Sequence, residues 1–214
     1  MDDYRTELIC VLDSSGSMAR MASDMIGGLN NLLQEQREQP GQLLVSLTTF
    51  DTDIRHPFSR LPLELVGGLS AHVDGEDPND GLIYHAYIPK GGTALLDALG
   101  STIDRTGDRL SSTPEEQRPD KVIVVVLTDG QENSSREYDL RTVRQKVEHQ
   151  QEQYDWSFIF LGVGIDAFGE GGNLGISQQY TRGFAHQPEG LRESYGYASQ
   201  SVSELRQPNY ESGG

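Results

Sequence analysis

Residues 121–127, Lys-Val-Ile-Val-Val-Val-Leu, run apolar without a break after the lysine and end at Thr128-Asp129-Gly130. A strand with no polar alternation has both faces covered, which is the habit of parallel sheets flanked by helices. Residues 7–13 (Glu-Leu-Ile-Cys-Val-Leu-Asp), 43–50 and 156–163 repeat the pattern. Between them lie segments of helical spacing. Residues 18–38 place Met18, Met21, Met25, Leu29, Leu32 and Leu33 on one face and stop at Pro40-Gly41. A second helix opens after Gly91-Gly92-Thr93 and runs to about residue 109, a third covers 139–153, and a last one 188–206. Residues 54–60 return after the Asp51-Thr52-Asp53 turn as an antiparallel edge strand, and 179–185 read as a final strand. Buried strands alternating with helices predict an α/β chain: a Rossmann-like, doubly wound three-layer sandwich with a mainly parallel six-stranded sheet and one antiparallel edge. Residues 62–88 are weakly patterned.

The length of 214 residues suits one domain, expected over 1–206 with a flexible polar tail at 207–214. The net charge is −16, from 33 acidic against 17 basic side chains. Phosphate backbones and anionic membranes both call for a basic footprint, so nucleic acid is not an expected partner. The longest apolar run falls far short of the ~20 residues that span a bilayer. The N-terminal Met1-Asp2-Asp3-Tyr4-Arg5 does not resemble a secretory signal. No membrane insertion and a cytoplasmic location are therefore expected. A single cysteine, Cys10, leaves no intrachain disulfide and reads as a buried thiol.

In doubly wound sheets ligands bind beyond the carboxyl ends of the strands. Two acids end buried strands directly, Asp13 and Asp129. Asp13 begins Asp13-Ser14-Ser15-Gly16-Ser17, a D-x-S-x-S pattern at a strand-to-helix turn, and Thr93 stands behind two glycines that let backbone approach closely. Asp13, Ser15, Ser17, Thr93 and Asp129 make an all-oxygen set of two carboxylates and three hydroxyls, which suits a hard cation. Taken singly, each has a plainer explanation: helix caps for Asp13, Ser17 and Thr93, and a turn for Asp129-Gly130.

These five residues, in this order and at these junctions, resemble the von Willebrand factor type A domain with a complete metal-ion-dependent adhesion site. The resemblance spans about residues 6–206 and is narrowest to small free-standing bacterial and phage A domains. Stretches such as Gly92-Thr93-Ala94-Leu95-Leu96-Asp97-Ala98 and Asp129 through Tyr138 carry it further. It implies Mg²⁺, with Mn²⁺ or Ca²⁺ as substitutes, held directly by Ser15, Ser17 and Thr93 and largely through waters by Asp13 and Asp129. It also implies a protein partner whose Asp or Glu carboxylate completes the coordination, and a last helix, 188–206, that moves on ligation. Glu132 and Asn133, just beyond Asp129, would rim the ion, and Arg136 in that loop would either steer the incoming carboxylate or form a surface salt bridge. The expected function is metal-dependent protein binding. An adaptor subunit of an ATPase or other multi-protein machine, and a virion-associated structural or adhesion component, stay open; oligomeric state is not readable.

An enzyme is not expected. Ser15 stands where an aspartyl-phosphate phosphatase needs its second acid, and no G-x-S-x-G elbow surrounds the serines. Hydrolysis at the cation would need Asp129 or Glu132 as base. The glycines of 160–169 miss the dinucleotide spacing, so that stretch reads as a strand-end turn with Asp166 as a helix cap. His56, His72, His85, His149 and His186 show no ligand spacing and read as surface or loop residues. The acids at 51–53 and 74–80 read as a solvated surface rather than a second cation site.

Overall fold

The computed structural model describes residues 4–207. The tail expected at 207–214 thus lies, beyond Gln207, outside the described residues. The elements are β1 (Arg5–Asp13), α1 (Ala22–Arg37), β2 (Gln42–Phe50), β3 (Ile54–Pro62), β4 (Val66–Ser70), β5 (Gly75–Glu76), β6 (Ile83–Ala86), α2 (Leu95–Ser112), β7 (Lys121–Thr128), α3 (Leu140–Tyr154), β8 (Ser157–Val163), α4 (Ala167–Asn173), β9 (Thr181–Phe184) and α5 (Pro188–Leu205). Six strands form one sheet in the order β3-β2-β1-β7-β8-β9. Only β3 is antiparallel, paired with β2 at the edge, and the remaining pairings are parallel.

The apolar runs divide by parity. Leu8, Cys10 and Leu12 of β1 join Ile123, Val125 and Leu127 of β7 beneath α1 and α5. Ile9 and Val11 join Val122, Val124 and Val126 on the opposite face, against Leu95, Leu99 and Ile103 of α2 and Val143 and Val147 of α3. A strand buried on both faces cannot alternate with polar residues, which is why these runs are continuous. Each fully buried Leu, Ile or Val contributes about 1.5–3 kcal/mol by leaving water. Burial pushes the Cys10 thiol up to about 12, as a structural core cysteine requires.

Two stretches depart from expectation. Residues 18–21 are not the first turn of α1; Gly16–Met21 forms a 3₁₀ segment, with Met18 and Met21 buried beneath it. The weakly patterned 62–88 stretch holds a second sheet, ordered β4-β6-β5, and β4 packs beside α1. Among the described residues no helix is long and apolar enough to cross a membrane.

The main sheet reverses its winding at β1. The loop after β1 leads to β2 on one side, and the chain later returns as β7 on the other. That switch opens a crevice at the carboxyl ends of β1 and β7. Asp13 and Asp129 stand there.

Candidate metal centre

Asp13 is the last residue of β1 and is fully buried. Its Oδ1 accepts the Ser15 backbone N–H at 2.7 Å. Its Oδ2 accepts the Thr128 hydroxyl at 2.6 Å. The carboxyl is pushed up to about 6, chiefly by burial; the bonds from Thr128 and Ser15 oppose the shift and the neighbouring Asp129 charge adds to it.

Beyond Asp13 the chain turns so that the hydroxyls face one another. Ser15 Oγ lies 3.0 Å from Ser17 Oγ, and Ser17 Oγ donates to Asp129 Oδ1 at 2.6 Å. The Ser15 side chain does not cap the helical turn that follows. Thr93 reaches the same place from a third loop: its Oγ1 is 2.8 Å from where a Cβ on Gly130 would sit. A side chain at 130 would therefore displace it. Thr93 does not cap α2 either, whose N-cap position is Ala94. The plain helix-cap explanation for Thr93 thus fails.

Backbone bonds hold the three loops together. Lys90 N–H donates to the Ser14 carbonyl at 2.8 Å, and Gly16 N–H to the Gly91 carbonyl at 3.1 Å. Asn133 Oδ1 accepts the Thr93 N–H at 2.9 Å, and the Thr93 carbonyl accepts from the Asn133 and Ser134 N–H groups. Tyr87, buried, donates its hydroxyl to the Asp13 carbonyl.

Glu132 does not rim this cluster. Its Oε2 accepts the Leu96 N–H at 2.9 Å and the Ser135 hydroxyl at 2.7 Å. Its Oε1 accepts the Ser134 and Ser135 N–H groups. It caps the N-terminus of α2, where a carboxylate offsets unpaired N–H groups and the helix dipole. Asn133 likewise braces Thr93, while the exposed Arg136 is anchored through its backbone N–H to Asp97. Asp166 caps α4 as expected, accepting the Gly169 N–H at 3.1 Å.

One residue at the cluster carries no pattern in the sequence. His186, on the loop between β9 and α5, brings Nε2 within 3.0 Å of Asp129 Oδ2. It is half-exposed, as a loop residue would be, but it faces the buried carboxylate.

The other acids are spent locally. Asp51 accepts the Asp53 N–H and pairs with Arg55 at 2.9 Å. Asp74 holds His85 Nδ1 at 3.0 Å, Asp77 accepts from Asn79, and Asp80 from Leu82 and Tyr84. Among the described residues no three His, Cys, Asp or Glu side chains gather to hold a metal. The cluster at Asp13 is instead hydroxyl-rich, which fits a hard divalent cation that retains part of its water. Asp13 fits too: burial opposes its negative charge, and a nearby cation would restore it.

No family profile and no curated protein matches the sequence. Solved structures do match in fold. Proximal thread matrix protein 1 from the mussel byssus, in a form with a zinc-occupied MIDAS motif, is 17% identical with a TM-score of 0.60 and covers 94% of this chain and 46% of its own. A von Willebrand factor type A structure from Catenulispora acidiphila is 14% identical, TM-score 0.55, covering 95% of this chain and 43% of its own. The vWF domain of the pili tip protein Mfa5 from Porphyromonas gingivalis is 8% identical, TM-score 0.59, over 99% of both chains. This chain spans somewhat under half the length of the mussel and Catenulispora structures. At these identities the likeness is one of architecture, and the architecture of this chain is the von Willebrand factor type A fold.

Proposed function

We propose that this chain is a metal-dependent protein-interaction module. Ser15, Ser17 and Thr93 would hold a divalent cation, Mg²⁺ or a substitute, with Asp13 and Asp129 supplying charge beside it. The cation would supply one thing, an electrophilic centre for an Asp or Glu carboxylate of a protein partner. The chain's own residues do the rest. Asp13 fixes the turn by accepting the Ser15 N–H, Thr128 orients Asp13, and Asn133 holds Thr93 in place.

The observation that carries this reading is the run of oxygens Ser15 Oγ, Ser17 Oγ and Asp129 Oδ1, at 3.0 and 2.6 Å, assembled from two loops 112 residues apart and free of capping duty at Ser15. The zinc-occupied MIDAS of the mussel protein supports a divalent cation on this fold. Of the two bases that hydrolysis at the cation would call on, Glu132 has both oxygens engaged in holding α2 and its neighbouring loop, which leaves Asp129 alone.

The test is a partner pulldown with Mg²⁺, with EDTA, with Asp13→Ala and with Ser17→Ala, folding being checked by circular dichroism. A partner lost in all three perturbed conditions is expected. A partner retained in every condition would mean that other surfaces carry the binding.

A further inference from the structure

We propose that His186 is itself a metal-binding residue of this site, so that the chain takes a transition-metal ion of the zinc class in preference to Mg²⁺. The inference rests on the reading of the site as a cation site and concerns which ion it selects.

The position of His186 is built by its surroundings. Gly164, at φ +73°, donates its N–H to the Phe184 carbonyl at 2.7 Å. A Cβ on Gly164 would stand 2.5 Å from the Cβ of His186. At the other end of the loop, a Cβ on Gly190 would stand 2.1 Å from the Ala185 carbonyl oxygen. Two missing side chains thus let the β9–α5 connection press against the sheet edge. His186 is thereby delivered to Asp129.

The spacing suits shared coordination. Donors on one six-coordinate ion at about 2.1 Å stand about 3 Å from their neighbours. Ser15 Oγ stands 3.0 Å from Ser17 Oγ, Ser17 Oγ stands 2.6 Å from Asp129 Oδ1, and His186 Nε2 stands 3.0 Å from the other oxygen of that carboxylate, Oδ2, so His186 flanks the hydroxyl row across Asp129. Facing a carboxylate oxygen, Nε2 acts as a donor; coordination would instead turn the Nε2 lone pair to the ion, with a proton on Nδ1. An imidazole nitrogen adds little for Mg²⁺, which prefers oxygen, but favours Zn²⁺ and Co²⁺.

The test compares binding of Zn²⁺, Co²⁺ and Mg²⁺ to the full chain by calorimetry, with the visible absorption of Co²⁺ as a second readout. His186→Gln keeps an amide N–H for Asp129 and removes the imidazole; Ser17→Ala removes a hydroxyl of the cluster. Zn²⁺ and Co²⁺ affinity should fall at least about tenfold in His186→Gln, because loss of even a ligand's hydrogen-bonding partner costs about ten- to hundredfold, with a changed Co²⁺ spectrum. Mg²⁺ affinity should move less than about twofold. Unchanged Zn²⁺ and Co²⁺ binding in His186→Gln, alongside losses in Ser17→Ala, overturns the role of His186 and leaves the cation site standing. Unchanged binding of all three ions in Ser17→Ala, or none in the parent chain, overturns both.

Discussion

Two adjacent glycines of α1 should respond to alanine with opposite signs. Gly28 faces α5, and a Cβ there would lie 2.1 Å from Tyr195 Cδ2, 2.6 Å from Cε2 and 2.8 Å from Cγ. The ring has no easy retreat: Tyr195 is buried, and its hydroxyl meets Met25 Sδ at 2.9 Å. Overpacking of this kind costs about 1–3 kcal/mol, and a contact this short belongs at the upper end. Against it stands the helix-propensity gain of about 1 kcal/mol for replacing glycine by alanine. The net expectation for Gly28→Ala is a loss of about 2 kcal/mol. Gly27 has nothing within 4 Å of its Cβ position, so Gly27→Ala should keep the propensity gain and stabilise by about 0.5–1 kcal/mol. For a chain of this size 1 kcal/mol moves the Tm by about 2–4 °C, so Gly28→Ala should melt about 4–8 °C lower and Gly27→Ala slightly higher. Urea unfolding of both variants beside the parent chain, with unchanged m-values, measures the difference. A neutral or stabilising Gly28→Ala would refute the close approach of α5 to α1.

Other consequences concern charge. Arg109 pairs with the fully buried Glu7 at 2.6 Å, and Ser46 donates to the same Glu7 oxygen. Arg109→Met should destabilise by about 3 kcal/mol by removing the cation bonded to a buried carboxylate, Arg60 remaining nearby; a loss below about 1 kcal/mol in chemical denaturation would show that the pair is not formed. His56 is lowered from 6.5 by burial and then by Arg105. The unfolded chain therefore takes up this proton first as pH falls, so the His56 contribution is complete above 6.5 and is lost as pH drops from there to the folded value. A titration of the His56 ring by NMR should give a midpoint below 6.5, raised in Arg105→Gln; a midpoint above 6.5 in the parent chain contradicts this.

The central strands are legible in the sequence because burial on both faces removes every polar alternative from their pattern. The small sheet is not. Its strands hold five, two and four residues, too few to show a period, and Gly67 and Gly68 interrupt β4. Gly67 is there for the ring of Tyr84, which would stand 2.4 Å from a Cβ. The 3₁₀ segment after Ser15 escapes a spacing argument because Met18 and Met21 point to the core in either helix type.

At the site, Asp13, Ser15, Ser17 and Asp129 are linked by hydrogen bonds, and Thr93 sits against Gly130, as the D-x-S-x-S, Thr and Thr-Asp-Gly positions imply. Glu132 misleads because its partner Leu96, 36 residues away at the start of α2, is invisible to local pattern. His186 lacks any spacing signal, 57 residues from Asp129. Yet β9 is parallel to β8 and ends at Phe184. The carboxyl-end rule that singles out Asp13 and Asp129 points to the residues just after β9 as well.

The central claim is that hydroxyls from separate loops hold one divalent ion. Titration of the chain with Mn²⁺, followed by the electron paramagnetic resonance signal of the free ion, tests it most directly. One strongly bound ion per chain is expected, lost in both Ser17→Ala and Thr93→Ala while circular dichroism shows each variant folded. Binding undiminished in both folded variants would contradict the account.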